Sequence, residues 1–388
     1  MKASLGASAS VLLHSTASPL IVSQALAAAV VPSGLKPLPS GTLLGTVPFV
    51  GEGNFPLETI VGSGLSGRLV TDLSKLSAET LITPNYQFFI RTRYPDRLRP
   101  AGDWKILVRG LVETPVQLSL NELMQEEGPM GVHLVECAGN MPTGGFGLIS
   151  TARWSGIPMA RILEKVKVRP QATRVIVSGF DEHSQPAPGA IAGASWVFRF
   201  EQLEAAGAFL ATGMNRLPLP KDHGYPVRFI MPGWYGCTCI KWVNQILLAD
   251  DSAPATGHMK EYASRTHQDG MPKLAKDFRP ATIDLVAMPI RIEQWRVGGR
   301  LVYRVVGILW GGNKLTDTLM IRFNADMPYV PVRDYDHETN ATWTVWSYTW
   351  RPKVRGRYPI QLKVADPSIR TRRLDSGFYV RTVDIAAT

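Results

Sequence analysis

The apolar run Gly131-Val132-His133-Leu134-Val135 stops abruptly at Glu136-Cys137-Ala138-Gly139-Asn140. The run has the length of a strand, and the small and polar residues after it call for a tight turn. The chain therefore sets a cysteine on a loop at a strand end, and it has only three cysteines in all. A single thiol there suits metal coordination or nucleophilic chemistry, because a coordinated thiol is deprotonated outright and becomes a soft donor. The competing reading is a buried cysteine that serves as a small hydrophobe.

Around this turn the pattern is mixed. Lys105 to Leu111 reads as a strand, and Ser119 with Glu122 forms a capping box that opens a helix stopped by Gly128-Pro129. Met159 to Val166 and Glu201 to Ala206 read as helices, and Arg174 to Gly179 and Val227 to Met231 as strands. They interleave without a regular βα repeat, so an α+β domain is expected. Beyond residue 280 the period changes to two: Leu319, Ile321 and Phe323 alternate with Met320 and Arg322, and Ile360, Leu362 and Val364 with Gln361 and Lys363. Thr342 to Trp350 and Gly377 to Ile385 are also strand-like, which together predict a β-sandwich.

The chain of 388 residues has a formal charge of +10, which favours anionic substrates or acidic partners. No zinc-finger spacing or RNP-like aromatic motif accompanies it, so nucleic acid is not expected as a partner. Cys237 and Cys239 form a C-x-C pair, which lacks the number and spacing of a zinc site. Gly62-Ser63-Gly64-Leu65-Ser66-Gly67 matches the dinucleotide fingerprint, but no acidic strand end follows at the needed distance. Residues 1–29 read as an export signal: a basic start, a weakly apolar stretch, then the small-x-small site Ala25-Leu26-Ala27. The weak hydrophobicity predicts the twin-arginine route, with the arginine pair upstream of Met1, and hence a periplasmic protein. After signal removal no apolar run is long enough to span a membrane.

Three further segments follow Cys137 in order. They are Leu148-Ile149-Ser150-Thr151-Ala152-Arg153-Trp154, then Asp222-His223-Gly224-Tyr225-Pro226-Val227-Arg228, then Pro232-Gly233-Trp234-Tyr235-Gly236 leading to Ile240-Lys241-Trp242. With the ECAGN turn and Phe88-Phe89-Ile90-Arg91, the chain resembles the sulfite oxidase family of molybdenum enzymes from about residue 85 onward. The resemblance implies a sulfite-oxidase-type molybdopterin-binding domain over residues 85–255, preceded by an N-terminal arm over 30–84. A connecting stretch over 256–280 and an immunoglobulin-like dimerisation sandwich over 281–388 follow, so a homodimer is expected.

It also implies a molybdenum–molybdopterin cofactor, with Cys137 as the protein's ligand to the metal. Phe89, Ile90, Arg91, Thr92 and Arg93 match the first cofactor-contacting segment, although Thr92 and Arg93 stand where the family has Asn and His. Arg91 matches the arginine shared between cofactor and substrate oxyanion, a task suited to a planar, permanently charged fork. His223 and Arg228 match contacts to the pterin phosphate. Asp181, Cys239, Ile240 and Lys241 match further cofactor contacts, with Cys237 and Cys239 otherwise read as buried structural residues. Tyr262 corresponds to the tyrosine beside the metal, whose phenol can hydrogen-bond the oxygen being transferred. Arg381 is assigned as the arginine that the C-terminal part contributes to the pocket.

One departure concerns the substrate wall. The family carries arginines directly after the turn, whereas this chain has Met141-Pro142-Thr143, and glycine near Gly144-Gly145 replaces a pocket tryptophan. The leading expectation is oxidation of sulfite to sulfate. With no C-x-x-C-H haem attachment motif in the chain, the electrons are expected to pass to an external c-type cytochrome. Alternatives are reductive oxygen-atom transfer on an S- or N-oxide such as methionine sulfoxide, a subunit of a sulfur-oxidation complex, and a non-catalytic scaffold that would purify without molybdenum.

Overall fold

The computed structural model describes residues 38, 40–52, 56–62, 67–77, 79–91, 100–140, 146–179 and 194–386. The export signal, Thr92, Arg93, Met141-Pro142-Thr143, Gly144, Gly145 and Asp181 lie outside them. Ser33–Thr388 forms one compact unit. Among the described residues no helix is long and apolar enough to cross a membrane.

The architecture is mostly β, more so than the α+β expectation. The α-helices among the described residues, Leu120–Gln125, Met159–Glu164, Phe200–Ala206 and Gly257–Glu261, have five to seven residues each. They are short because their sequences stop them. The first opens on the predicted capping box, Ser119 with Glu122, and ends where Gly128 begins a strand.

Two five-stranded sheets carry the first two-thirds of the chain. One joins Gly128–Glu136 to Ile149–Pro158, then to Phe209–Met214, which pairs with both Leu217–Pro218 and Arg228–Ile230. The second has the order Val116–Ser119, Lys105–Gly110, Val243–Ala249, Arg174–Gly179, Ser195–Phe198. Its contact between Lys105–Gly110 and Val243–Ala249 is parallel and the others are antiparallel. The fully buried indoles of Trp104, Trp154 and Trp196 fill the interior of this part.

Two four-stranded antiparallel sheets follow. One is ordered Gly41–Val47, Val286–Val297, Arg300–Trp310, Thr344–Trp350, and the other Val330–Pro331, Leu319–Arg322, Gly356–Val364, Arg381–Ile385. The predicted alternation at Leu319 to Phe323 lies on one of these strands, with Leu319, Ile321 and Phe323 buried. Gly41–Val47, early in the chain, is an edge strand of a sheet otherwise built from the last third. Buried Glu293 accepts from Arg291 Nε (2.9 Å), Arg304 Nε (2.7 Å) and Trp295 Nε1 (3.0 Å). Arg291 also donates to the carbonyl of Leu76 at 2.6 Å, so one ionic cluster ties the early chain to this sheet.

Ser63, Gly64, Leu65 and Ser66, in the dinucleotide-like stretch, lie outside the described residues. Val61 bridges Arg68, and the two-residue strand Arg68–Leu69 pairs with Ile90–Arg91.

Candidate active site

Strand Gly128–Glu136 ends at the cysteine turn. The Cys137 N–H donates to Leu148 O and the Asn140 N–H to Cys137 O, both at 2.9 Å. The Asn140 side-chain oxygen accepts from the N–H groups of Gly147 (3.2 Å) and Leu148 (3.0 Å), so this residue braces the loop. Glu136 is fully buried and accepts from Arg372 Nη1 (3.0 Å), Arg372 Nη2 (2.8 Å) and Trp310 Nε1 (2.9 Å). The acid and amide of ECAGN are thus committed to structural hydrogen bonds on either side of the thiol. Cys137 Sγ accepts only the Gly139 N–H, at 3.3 Å, among the described residues. Burial pushes this thiol up and Glu136 adds to that, while the Gly139 N–H, Arg91 and Arg265 pull it down. A bound cation would reverse the balance and make it a thiolate.

Arg91, half-buried, ends the short strand Ile90–Arg91. That strand is held in place by the next motif: the Phe89 N–H donates to Ser150 Oγ (3.0 Å), which lies 2.7 Å from Thr71 Oγ1. Tyr262 follows helix Gly257–Glu261 and faces the same group. Burial, with Cys137 next, pushes its phenol up to about 12 against the pull of Arg91, so it remains a donor at neutral pH. Arg265, three residues on, places its guanidinium 5.5 Å from the Tyr262 ring centre. Its Nη1 and Cys137 Sγ lie 3.1 and 3.7 Å from the point a Gly139 Cβ would occupy. A side chain there would press on the free end of Arg265. Sequence reasoning missed Arg265; its i, i+3 spacing from Tyr262 on a helical turn was the available signal.

The remaining predicted residues gather in a cationic pocket. Lys221–His223 forms a 3-10 turn closed by Gly224 at φ 106°, where a side chain would meet Lys241 Cβ at 3.1 Å and Arg228 Cβ at 3.2 Å. That close approach brings His223, Arg228 and Lys241 together. Phe88 packs edge-on to His223 at 5.2 Å and to Trp154 at 6.0 Å, and Arg228 lies 5.8 Å from the Trp154 ring centre. Lys241 Nζ donates to Asp222 O at 2.5 Å, and Phe229 N–H to Ile240 O at 2.7 Å. Burial lowers Lys241 well below its ordinary value and Arg228 lowers it further, with Asp222 opposing. Burial, then Lys241 and Arg228, hold His223 well down too. Arg228 Nε and His223 Nδ1 are buried without a hydrogen-bond partner among the described residues.

Arg381 does not join this group. Its guanidinium is committed to Glu52 and to Pro289 O, and burial lowers it to about 9. The C-terminal arginine that reaches the cysteine turn is Arg372, through Glu136. Cys237 and Cys239 are both buried; Cys239 Sγ accepts the Met231 N–H at 3.5 Å, and Cys237 lies within the electrostatic reach of Cys137.

These residues fit a molybdopterin. Two crowded cations, Arg228 with an orphaned nitrogen among the described residues and Lys241, are costly to bury unless an anion such as a phosphate joins them. Among the described residues no cluster of three or more His, Cys, Asp or Glu side chains could hold a metal.

The comparisons agree. Residues 92–257 match the oxidoreductase molybdopterin binding domain. Sulfite oxidase from Gallus gallus is 30% identical over 205 residues, 49% of this chain and 44% of that protein. Nitrate reductase [NADPH] from Aspergillus niger is 31% identical over 209 residues, 50% of this chain and 23% of that protein. The chain thus spans less than half the length of these relatives. In fold it resembles the sulfane dehydrogenase SoxCD from Paracoccus pantotrophus, with a TM-score of 0.62, 18% identity, and coverage of 84% of this chain and 89% of that one. With a thiol and a cationic pocket beside it, residues 92–257 belong to the oxidoreductase molybdopterin binding domain family, and the chain is similar to sulfite oxidase and nitrate reductase.

Proposed function

We propose that the protein oxidises sulfite to sulfate, releasing two electrons and two protons as one water is consumed, and passes the electrons to an external c-type cytochrome. The observation that carries this reading is the placement of the Cys137 thiol within reach of Arg91 and Tyr262, beside the pocket of His223, Arg228 and Lys241. When bound, the molybdenum–molybdopterin group supplies two-electron exchange coupled to oxygen-atom transfer. Arg228, Lys241 and His223 hold its phosphate, and Cys137 holds the metal. Arg91 holds the substrate oxyanion through its planar fork. The Tyr262 phenol, kept protonated, orients the oxygen that moves. Export to the periplasm and pairing through an immunoglobulin-like C-terminal part belong to the same proposal.

The likeness to SoxCD favours a second reading, in which the chain is a sulfur-oxidation subunit acting on a sulfane-type sulfur. Sulfite-dependent reduction of ferricyanide by the molybdenum-loaded protein separates the two. A rate that saturates with sulfite and vanishes in Cys137→Ser is the expected result. No rate in protein of confirmed molybdenum content would hand the lead to the sulfane reading.

A further inference from the structure

Arg265 is a cation without a visible purpose in the fold. It ends the 3-10 turn Ala263–Arg265, held rigid because Thr266 Oγ1 donates to Tyr262 O at 2.9 Å and Gln268 Nε2 to Thr266 O at 3.2 Å. Among the described residues no carboxylate or hydrogen-bond acceptor engages its guanidinium; its one partner is the Tyr262 ring. Arg91 likewise has no carboxylate partner among them. Both guanidiniums act on the same buried thiol, and Arg265 reaches it from the side of Gly139.

Two guanidiniums beside one thiol, neither with a carboxylate partner among the described residues, repel each other unless an anion lies between them. Arg91 also acts on Lys241, which Arg228 already crowds, so it stands between the thiol and the phosphate pocket. The chain meanwhile has Met141-Pro142-Thr143, with no cation, directly after the cysteine turn. We infer that Arg265 is a substrate-binding residue, closing with Arg91 a two-armed clamp for a small divalent oxyanion. The inference rests on the reading of the site given above. Tyr262 then has two tasks: its hydroxyl serves the reacting oxygen, and its ring steers the Arg265 arm. A permanently charged fork on a solvent-reaching side chain suits an anion that must enter and leave.

The test is equilibrium binding of inorganic sulfate to the molybdenum-loaded protein by calorimetry, comparing wild type, Arg91→Met, Arg265→Met and Arg265→Lys. In the loaded protein the cofactor phosphate blocks the Arg228–Lys241 pocket, so sulfate reports on the substrate side. Loss of one charge-assisted fork should weaken sulfate at least ~10-fold in Arg265→Met, with partial recovery in Arg265→Lys. The same variant should raise the KM for sulfite by a similar factor and leave kcat nearer to wild type, with molybdenum content unchanged. If Arg265→Met binds sulfate like wild type while Arg91→Met does not, the inference fails and the sulfite reading stands. If wild-type protein binds no sulfate and neither arginine matters, both fail.

Discussion

Arg228 and Lys241 are expensive residues to keep inside a protein. Burial lowers both, Arg228 lowers Lys241 further, and Arg228 leaves a buried nitrogen unpartnered among the described residues. Such a pair is a cost to the empty protein and a gain only when an anion is present. Arg228→Met should therefore leave the stability of cofactor-free protein unchanged to within about 1 kcal/mol, or raise it. Molybdenum retained through gel filtration should fall sharply in the same variant. A large loss of stability in cofactor-free Arg228→Met would mean that the arginine is a structural strut. At this scale much of the site was legible: Cys137, Arg91, His223, Arg228, Lys241 and Tyr262 could be named from motif order, and the structure brings them together. Arg265 could not, because an unpaired arginine on a short turn looks like any surface charge until its neighbours are known. Arg381 misled for the converse reason: Tyr379-Val380-Arg381 gives no sign that Glu52, far off in the chain, claims the guanidinium.

The helix Gly257–Glu261 matters beyond its length, because it leads directly to Tyr262 and Arg265. Its His258 ring packs edge-on to Tyr262 at 5.0 Å and to Trp196 at 5.9 Å. Burial lowers His258 to about 4, so it is neutral in the folded protein, while the unfolded chain takes up a proton near the ordinary 6.5. Its contribution is present above pH 6.5 and is lost as pH falls toward 4. The loss should reach about 3 kcal/mol, at 1.36 kcal/mol per unit of difference. Urea unfolding across pH 7 to 4 in wild type and His258→Leu measures it; equal slopes in the two proteins would remove His258 as the cause. Strand positions were readable at this scale because period-two alternation and β-branched runs are local signals. Partners were not. Residues 30–84 look like an arm because glycine and proline punctuate them, yet Gly41–Val47 contributes Thr42, Leu43 and Thr46 to pairs with Arg296, Trp295 and Glu293.

Across the whole molecule, the cysteine turn and the C-terminal sheets are riveted together. Glu136 meets Arg372 and Trp310, the Leu134 N–H donates to Ala341 O at 2.8 Å, and Trp343 Nε1 donates to Leu81 O at 3.1 Å. Burial pulls Arg372 down, but the Glu136 carboxylate, with Tyr235 and Tyr379, holds it well above its ordinary value. Removing one partner of such a pair leaves an uncompensated buried charge. Arg372→Met should therefore cost about 3–5 kcal/mol in urea unfolding, and Glu136→Gln added to it should restore part of that loss. Additive losses in the double variant would show that the two side chains are not coupled. This joint was invisible in the sequence, because an arginine in a loop and a glutamate at a strand end carry no mark of each other.

The edge strand Gly41–Val47 also fixes an order in time. Its partner Val286–Val297 is made long after it, so the earlier strand leaves the exit tunnel with its hydrogen-bonding edge unmatched. That edge can be paired only after residues 48–285 have been made. Until then, nascent chains on neighbouring ribosomes expose the same open edge, and a chaperone that shields residues 41–47 would be acting where the fold is most open to mispairing.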